Sequence, residues 1–338
     1  MAKSALFQTS QQTNVLIATE ATFGTKAATG AARIHMPVTS YSFSEVANHT
    51  LAVAPFRAGA GGSTQSTEMV KAQRHDRMYE ITLEFMGSPQ AIDRVCLALF
   101  GDGASPNILL GSMPTTSNIS GSTATPVTIY FDKGSASAAN TALSFASCMC
   151  TSFTISGDIG GNGGVIIGSA TFVTGFNPEK ANISFSGGTE TSIANQSSYF
   201  NMHDLSATTI TPSGGSAEDL VLFSFELNIA RAVNRVGFDT AGNNFDPLGY
   251  VVGGYEVTGS MTVKRDAESD AAITYADTAE PVCAVSITDG TFAIAAPKAI
   301  IDQSSINFDE DGFKSVIPFR CTYDAANTSN TVVSIATS

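Results

Sequence analysis

The sequence predicts a mainly β chain of two tandem domains, each with one short flanking α-helix and one long hairpin loop. Three observations predict it. Apolar residues alternate with polar ones along much of the chain, as in MYEITLEFM at 78–86, where Tyr79, Ile81, Leu83 and Phe85 share one face and Glu80, Thr82 and Glu84 the other. Helical stretches are confined to two short slots, one in each half. One strand pattern also occurs twice: GGYEVTGSMTV at 253–263 repeats the order of aromatic, glutamate and alternating apolar residues found at 78–86.

The elements follow in order. Residues 1–38 are polar and small, and read as an N-terminal arm with NVLIATEATFGT at 14–25 as its one punctuated element. SYSFSEVA at 40–47 reads as a strand. RAGAGGSTQSTEMVKAQRHDR at 57–77 is Gly-rich, polar and aperiodic, a long loop or exposed hairpin. The strand around YEITLEF follows. In SPQAIDRVCLALFG, 88–101, the period changes: Ala91, Val95, Ala98 and Leu99 recur at helical spacing, Ser88 can cap, Pro89 suits the first turn and Gly101 can end the helix. After a Ser/Thr/Gly/Pro loop come strands at VTIYF (127–131) and TALSFAS (141–147). TSFTISGD (151–158) and VIIGSATFVTGF (165–176) flank IGGNGG as a hairpin. This makes a first domain of 39–177, with a linker at 178–218.

The second half replays the order. VLFSFELNIA (221–230) stands where SYSFSEVA stood, with Phe223 set against Tyr41, and RAVNRVGFDTAGNNFDPLGYVVGG (231–254) reads as a second long loop. YEVTGSMTV matches YEITLEF. DAESDAAITYAD (266–277) fills the helix slot, VCAVSI and TFAIAAPKA are middle strands, and residues 304–324 close a hairpin around DEDG. The second domain is thus 219–326 and the C-terminal tail 327–338. A single domain followed by an unrelated β domain fits the same pattern, because alternating strands resemble one another by physics alone.

Composition bounds the function. The 338 residues suffice for two domains, with charged residues at only 14%, no Trp and a formal net charge of −13. That balance argues against binding nucleic acid by neutralising phosphates, and is compatible with letting DNA pass without sticking. The five cysteines, Cys96, Cys148, Cys150, Cys283 and Cys321, fit no zinc spacing and read as buried reduced thiols in a reducing compartment. MAKSALFQTSQQTN has no apolar core and does not read as a signal peptide. No apolar run approaches the ~18 residues of a membrane-spanning helix, so no membrane partner is expected.

No catalytic constellation is visible, and neither a cofactor nor a metal is expected. His35, His49, His75 and His203 show no metal-ligand spacing, and His75 beside Asp76 reads as solvated loop. SGDIGG at 156–161 has the surround of a serine nucleophile but places Ile159 where the serine would stand. FDEDGF at 308–313 starts like a calcium loop (Asp309, Asp311, Gly312) but lacks the distal Glu and the helices. GGNGG at 160–164 has no cradle lysine. Glu80 and Glu84 share a strand face as a glycosidase pair could, yet the second half keeps Glu256 and has Ser260 in the Glu84 slot. A surface role fits better.

ATEATFGT at 18–25, the long Gly-rich loop leading into YEITLEF or YEVTGSMTV, the helix straight after it, and the hairpin ending in GSATFVTGF resemble the tail tube (major tail) proteins of long-tailed bacteriophages. The resemblance covers most of both halves, and GYEVTGSMTV is its most specific motif. It implies β-sandwich or β-barrel domains with one flanking helix, six domains to a ring, stacked rings, and DNA travelling down the lumen. A single tube domain would leave about half the chain over. Two such domains per chain absorb it, so that three copies, a homotrimer, make a pseudo-hexameric ring. An immunoglobulin-like decoration is the other use of the length. Glu80, Thr82, Glu84, Glu256, Thr258 and Ser260 become candidates for the lumen wall. The two long loops become candidates for ring stacking, through Arg57, Gln65, Lys71, Arg74, Arg77, Arg231, Arg235, Asn243 and Asp246. The implied partners are further copies of the chain, tape-measure and tail-terminator or tail-tip proteins, and double-stranded DNA in transit. The implied location is the virion tail, assembled in the host cytoplasm. The competing reading is a soluble β-sandwich binding module, carbohydrate-binding or adhesin-like, which would want exposed aromatics and a secretion signal.

Overall fold

Strands form wherever the apolar alternation runs, and their order shows how the halves relate. The computed structural model describes residues 13–28, 31–45, 78–100, 107–109, 126–132, 142–181, 190–193, 196, 198–237, 246–276, 282–301, 307–308, 314–322 and 332–337. In the first half these form β1 (Asn14–Thr19), β2 (Arg33–Met36), β3 (Val38–Glu45), β4 (Tyr79–Met86), α1 (Pro89–Phe100), β5 (Asn107–Leu109), β6 (Val127–Asp132), β7 (Ala142–Asp158) and β8 (Ile167–Thr174). Next come β9 (Glu179–Ala181), β10 (Glu190–Thr191), β11 (Ala207–Pro212), β12 (Glu218–Asp219), β13 (Leu222–Val236), β14 (Gly249–Lys264) and α2 (Ala267–Ala276). The chain closes with β15 (Val282–Thr288), β16 (Phe292–Ile301), β17 (Asn307–Phe308), β18 (Lys314–Cys321) and β19 (Ser334–Thr337).

The first half pairs, antiparallel throughout, in the order β2–β1–β6–β7–β8–β4–β3. The second half pairs, again antiparallel, in the order β12–β11–β15–β16–β18–β14–β13. Strand for strand, each sits at the same place in the chain order of its half. The halves are stitched where β13 pairs with β7, from Ser224↔Asp158 to Ala230↔Ser152. A second stitch runs β5–β19–β16. β7 serves two parts of the sheet: Leu143–Cys148 pairs with β6, and Met149–Ser156 with β8. It turns between them at Ser147, which adopts φ 48°. Val15, Ile17 and Ile129 from one part and Ile81, Leu83, Phe85, Phe153 and Ile155 from the other share a single buried cluster with α1.

α1 forms as its spacing predicts. The Ser88 hydroxyl accepts from the Ala91 N–H at 3.2 Å, and Pro89 at the first position has no N–H to leave unpaired. Ala91, Ile92, Val95, Cys96, Ala98 and Leu99 are its buried face. α2 starts with a reciprocal cap, Ser269 N–H to Asp266 Oδ1 at 3.1 Å and Asp266 N–H to Ser269 Oγ at 2.9 Å.

Five expectations change. The arm contains β1 and β2, whose Val15, Leu16, Ile17 and Met36 are buried: NVLIAT is short, but apolar on both faces, as a covered strand must be. The predicted strands at 141–147 and 151–158 are one strand with a turn in it. The linker carries strands, β11 among them, paired along its whole length with β15, and the tail carries β19. Both ends of the loop at 231–254 are strand, since β13 and β14 stay paired out to Val236↔Gly249. The Gly-rich stretch 57–77 and the DEDG turn lie outside the described residues. All five cysteines are buried and unbridged, with burial raising the Cys150 thiol to about 12. Among the described residues no helix is long and apolar enough to cross a membrane.

Candidate functional site

The two halves share one sheet face. β3–β4–β8–β7–β13–β14–β18 are consecutive neighbours across the seam. One face is the core, with Leu83, Phe85, Phe153, Ile155, Leu227, Ile229, Met261 and Ile317 each at 3% exposure or less. Because side chains alternate along each strand, the opposite face is set by the residues between them. On β3 these are Ser40, Ser42 and Ser44, and on β4 Glu80, Thr82 and Glu84. They continue as Ile167, Ser169, Thr171 and Val173 on β8, Thr154 and Ser156 on β7, and Glu226, Asn228 and Ala230 on β13. Glu256, Thr258, Ser260 and Thr262 on β14 follow, with Val316, Pro318 and Arg320 on β18. The six residues expected on a common polar face therefore stand on one, and the β7–β13 seam makes it continuous between halves.

The face is hydroxyl-rich and held by cross-strand hydrogen bonds. Ser40 Oγ donates to Glu84 Oε2 at 2.8 Å, Thr154 Oγ1 donates to Asn228 Oδ1 at 3.2 Å, and Thr82 and Thr171 hydroxyls lie 3.5 Å apart. Arg320 approaches Glu256 at 3.7 Å with both side chains two-thirds exposed, a pair worth little in solvent. Lys264 and Lys314 face each other at one end of the strands, where Lys264 pairs with Asp266 at 3.6 Å and Lys314 lies over the Phe223 ring at 5.3 Å.

Glu226 was not among the expected residues, and it explains the missing charge at Ser260. In the first half Ser40 on the outer strand faces Glu84; in the second, Glu226 on the outer strand faces Ser260. The glutamate has changed strands within one cross-strand pair, so each half presents two. The signal lay in the alternation of FSFELNIA, hidden by setting Phe223 against Tyr41. The pairing sets Tyr41 against Leu227 instead, because Tyr41 faces Leu83 and Leu227 faces Gly259.

The stacking candidates fare differently. Arg57, Gln65, Lys71, Arg74, Arg77 and Asn243 lie outside the described residues. Arg231 is not a loop residue: it is buried at 7% exposure in β13. Its guanidinium donates to Cys150 O at 2.9 Å, Tyr255 Oη at 2.9 Å and Ala98 O at 3.1 Å. Tyr255 Oη in turn donates to Leu99 O at 2.7 Å. Second-half side chains thereby satisfy carbonyls that the end of α1 leaves open. Arg231 locks the halves together from inside the fold. Arg235 and Asp246 stay half-buried on the hairpin, whose end exposes Val236 (41%), Leu248 (67%) and Val251 (47%).

A family model described as phage tail tube protein matches residues 10–314. No curated protein matches the chain.

Proposed function

The chain belongs to the phage tail tube protein family, and from that premise we propose that it polymerises into stacked rings whose lumen conducts the genome into the host. The observation that carries the proposal is the shared polar face: hydroxyls and glutamates recur on the strands from β3 to β14 across the seam between the halves, with the half-buried Ile167, Val173 and Ala230 among them, over an apolar core. Such a face suits a wall past which DNA slides. DNA carries one negative charge per about 1.7 Å of axis. Glu80, Glu84, Glu226 and Glu256 repel it, the hydroxyls offer weak and exchangeable contacts, and the cations are few and set mostly at one end.

The halves act as two tube domains, so three chains make a pseudo-hexameric ring. The recurrence of one strand order in both halves supports this. The β13–β14 hairpin, with its exposed apolar end, contacts the next ring together with the 57–77 stretch. The role is structural and not enzymatic, played in the virion tail after assembly in the host cytoplasm. The partners are tape-measure and tail-end proteins and transiting DNA. Electron microscopy of the purified protein tests this: rings or tubes are expected, and shortening the hairpin end should leave rings that no longer stack. Monomers under all conditions would point instead to a soluble binding module.

A further inference from the structure

Ring assembly leaves open which edge of one chain meets which edge of the next. Resting on that reading, we infer that β3 of one chain pairs antiparallel with β17 of a second copy, repeating between chains the β13–β7 seam, with Ser40 opposite Asn307.

The donor edge follows from the exposure of equivalent residues. Tyr41 and Phe43 on β3 face Leu83 and Ile81 of β4; Leu227 and Ile229 on β13 face Gly259 and Val257 of β14. The positions are the same in the two halves, but their surroundings are not. Leu227 and Ile229 are 1% and 0% exposed, whereas Phe43 is 47% exposed and Tyr41 is half-buried. The difference is the second neighbour. β13 has β14 on one edge and β7 on the other; β3, among the described residues, pairs with β4 alone. An unpaired strand edge with an exposed aromatic beside it is a template for another strand.

The acceptor follows from register. β7 lies against β8 with Ser156↔Ile167, and Ile167 faces Met86 of β4. In the second half Asn307↔Val316, and Val316 faces Thr262 of β14. With Tyr79 equivalent to Tyr255, Met86 is equivalent to Thr262, so Asn307 stands where Ser156 stood. Within the chain Ser156 faces Glu226, and Glu226 is the equivalent of Ser40. Ser40 therefore faces Asn307 of the neighbour. Each chain then contributes one seam inside itself and one outside. A repeated heterologous contact of this kind closes a ring when its rotation divides the circle.

The experiment is cysteine cross-linking of the full chain. Paired positions in adjacent strands bring Cβ atoms about 4.5–5.5 Å apart, within reach of oxidation or a short bis-thiosulfonate linker. Ser40→Cys/Asn307→Cys protein, assembled and oxidised, should give covalent oligomers. A mixture of Ser40→Cys and Asn307→Cys single variants should give dimers, and neither alone should cross-link. Ser156→Cys/Glu226→Cys, the internal counterpart, should close within the monomer. Assemblies visible by microscopy in which the internal pair closes but Ser40→Cys/Asn307→Cys gives no oligomers would overturn the seam and leave the tube reading standing. Absence of any ring or tube from the unmodified protein overturns both.

Discussion

Glu20 shows how one residue can hold a fold's corner. It is 7% exposed and accepts from Thr128 Oγ1 at 2.6 Å, Ser147 N–H at 2.6 Å and Ser147 Oγ at 2.7 Å. Ser147 is the residue at which β7 changes partner, and its positive φ costs about 1–2 kcal/mol in a non-glycine. Glu20 holds it there by taking both its donors, while the Gly24 N–H donates to Ser147 Oγ at 2.7 Å. Burial raises the Glu20 pKa above its ordinary 4.5, against the hydrogen bonds from Thr128 and Ser147, which lower it. A carboxyl with a raised folded-state pKa contributes stability that is full below pH 4.5 and is lost as pH climbs through the folded value. Glu20→Ala should cost about 3 kcal/mol, since buried donors lose their acceptor at about 1–3 kcal/mol each. Urea unfolding of both proteins across pH should show the cost, with the variant lacking Glu20's share of the pH slope.

At the scale of elements, equivalent strand pairs are filled by different residues of complementary size. Leu83 faces Ala170 in the first half, and Gly259 faces Phe319 in the second. A Cβ on Gly259 would lie 2.3 Å from Phe319 Cζ, so Gly259→Leu should destabilise strongly. Gly259→Leu/Phe319→Ala rebuilds the first-half pair and should recover much of the loss. Denaturant unfolding of the cycle should return a favourable coupling of about 1–3 kcal/mol, the range for residues in contact; additive effects would refute the compensation. Such swaps explain what was legible in the sequence. The strands at 78–86 and 253–263 show because alternation survives any change of size, and α1 shows because Ser88, Pro89 and its apolar spacing agree. β1 was absorbed into a polar arm because it is six residues long, too few for a period to stand out. Residues 231–236 read as loop because two Arg and an Asn stand there with Gly237 directly after, while the pairing that makes them strand comes from β14. The burial of Arg231 had no local signal, since its acceptors lie on β7, α1 and β14. The shift of a glutamate from β14 to β13 became visible only with the register.

At the scale of the molecule, the continuous face makes a charge prediction. Glu80→Lys/Glu256→Lys puts two cations on the face without touching its core side, and Arg320 loses its partner. Assembly should be unaffected while DNA ejection slows, the more so at low salt, because exposed charges are screened over about 8–10 Å at 0.1–0.15 M ionic strength. Unchanged ejection kinetics at every salt concentration would show that repulsion plays no part. The measurement that reaches furthest is a cryo-electron-microscopy reconstruction of the assembled tube with no symmetry imposed. Rings of three chains and six domains are expected, with Glu80, Glu84, Glu226 and Glu256 toward the lumen and α1 away from it. Six chains in a ring, or the apolar face of β4 and β14 turned to the lumen, would contradict it.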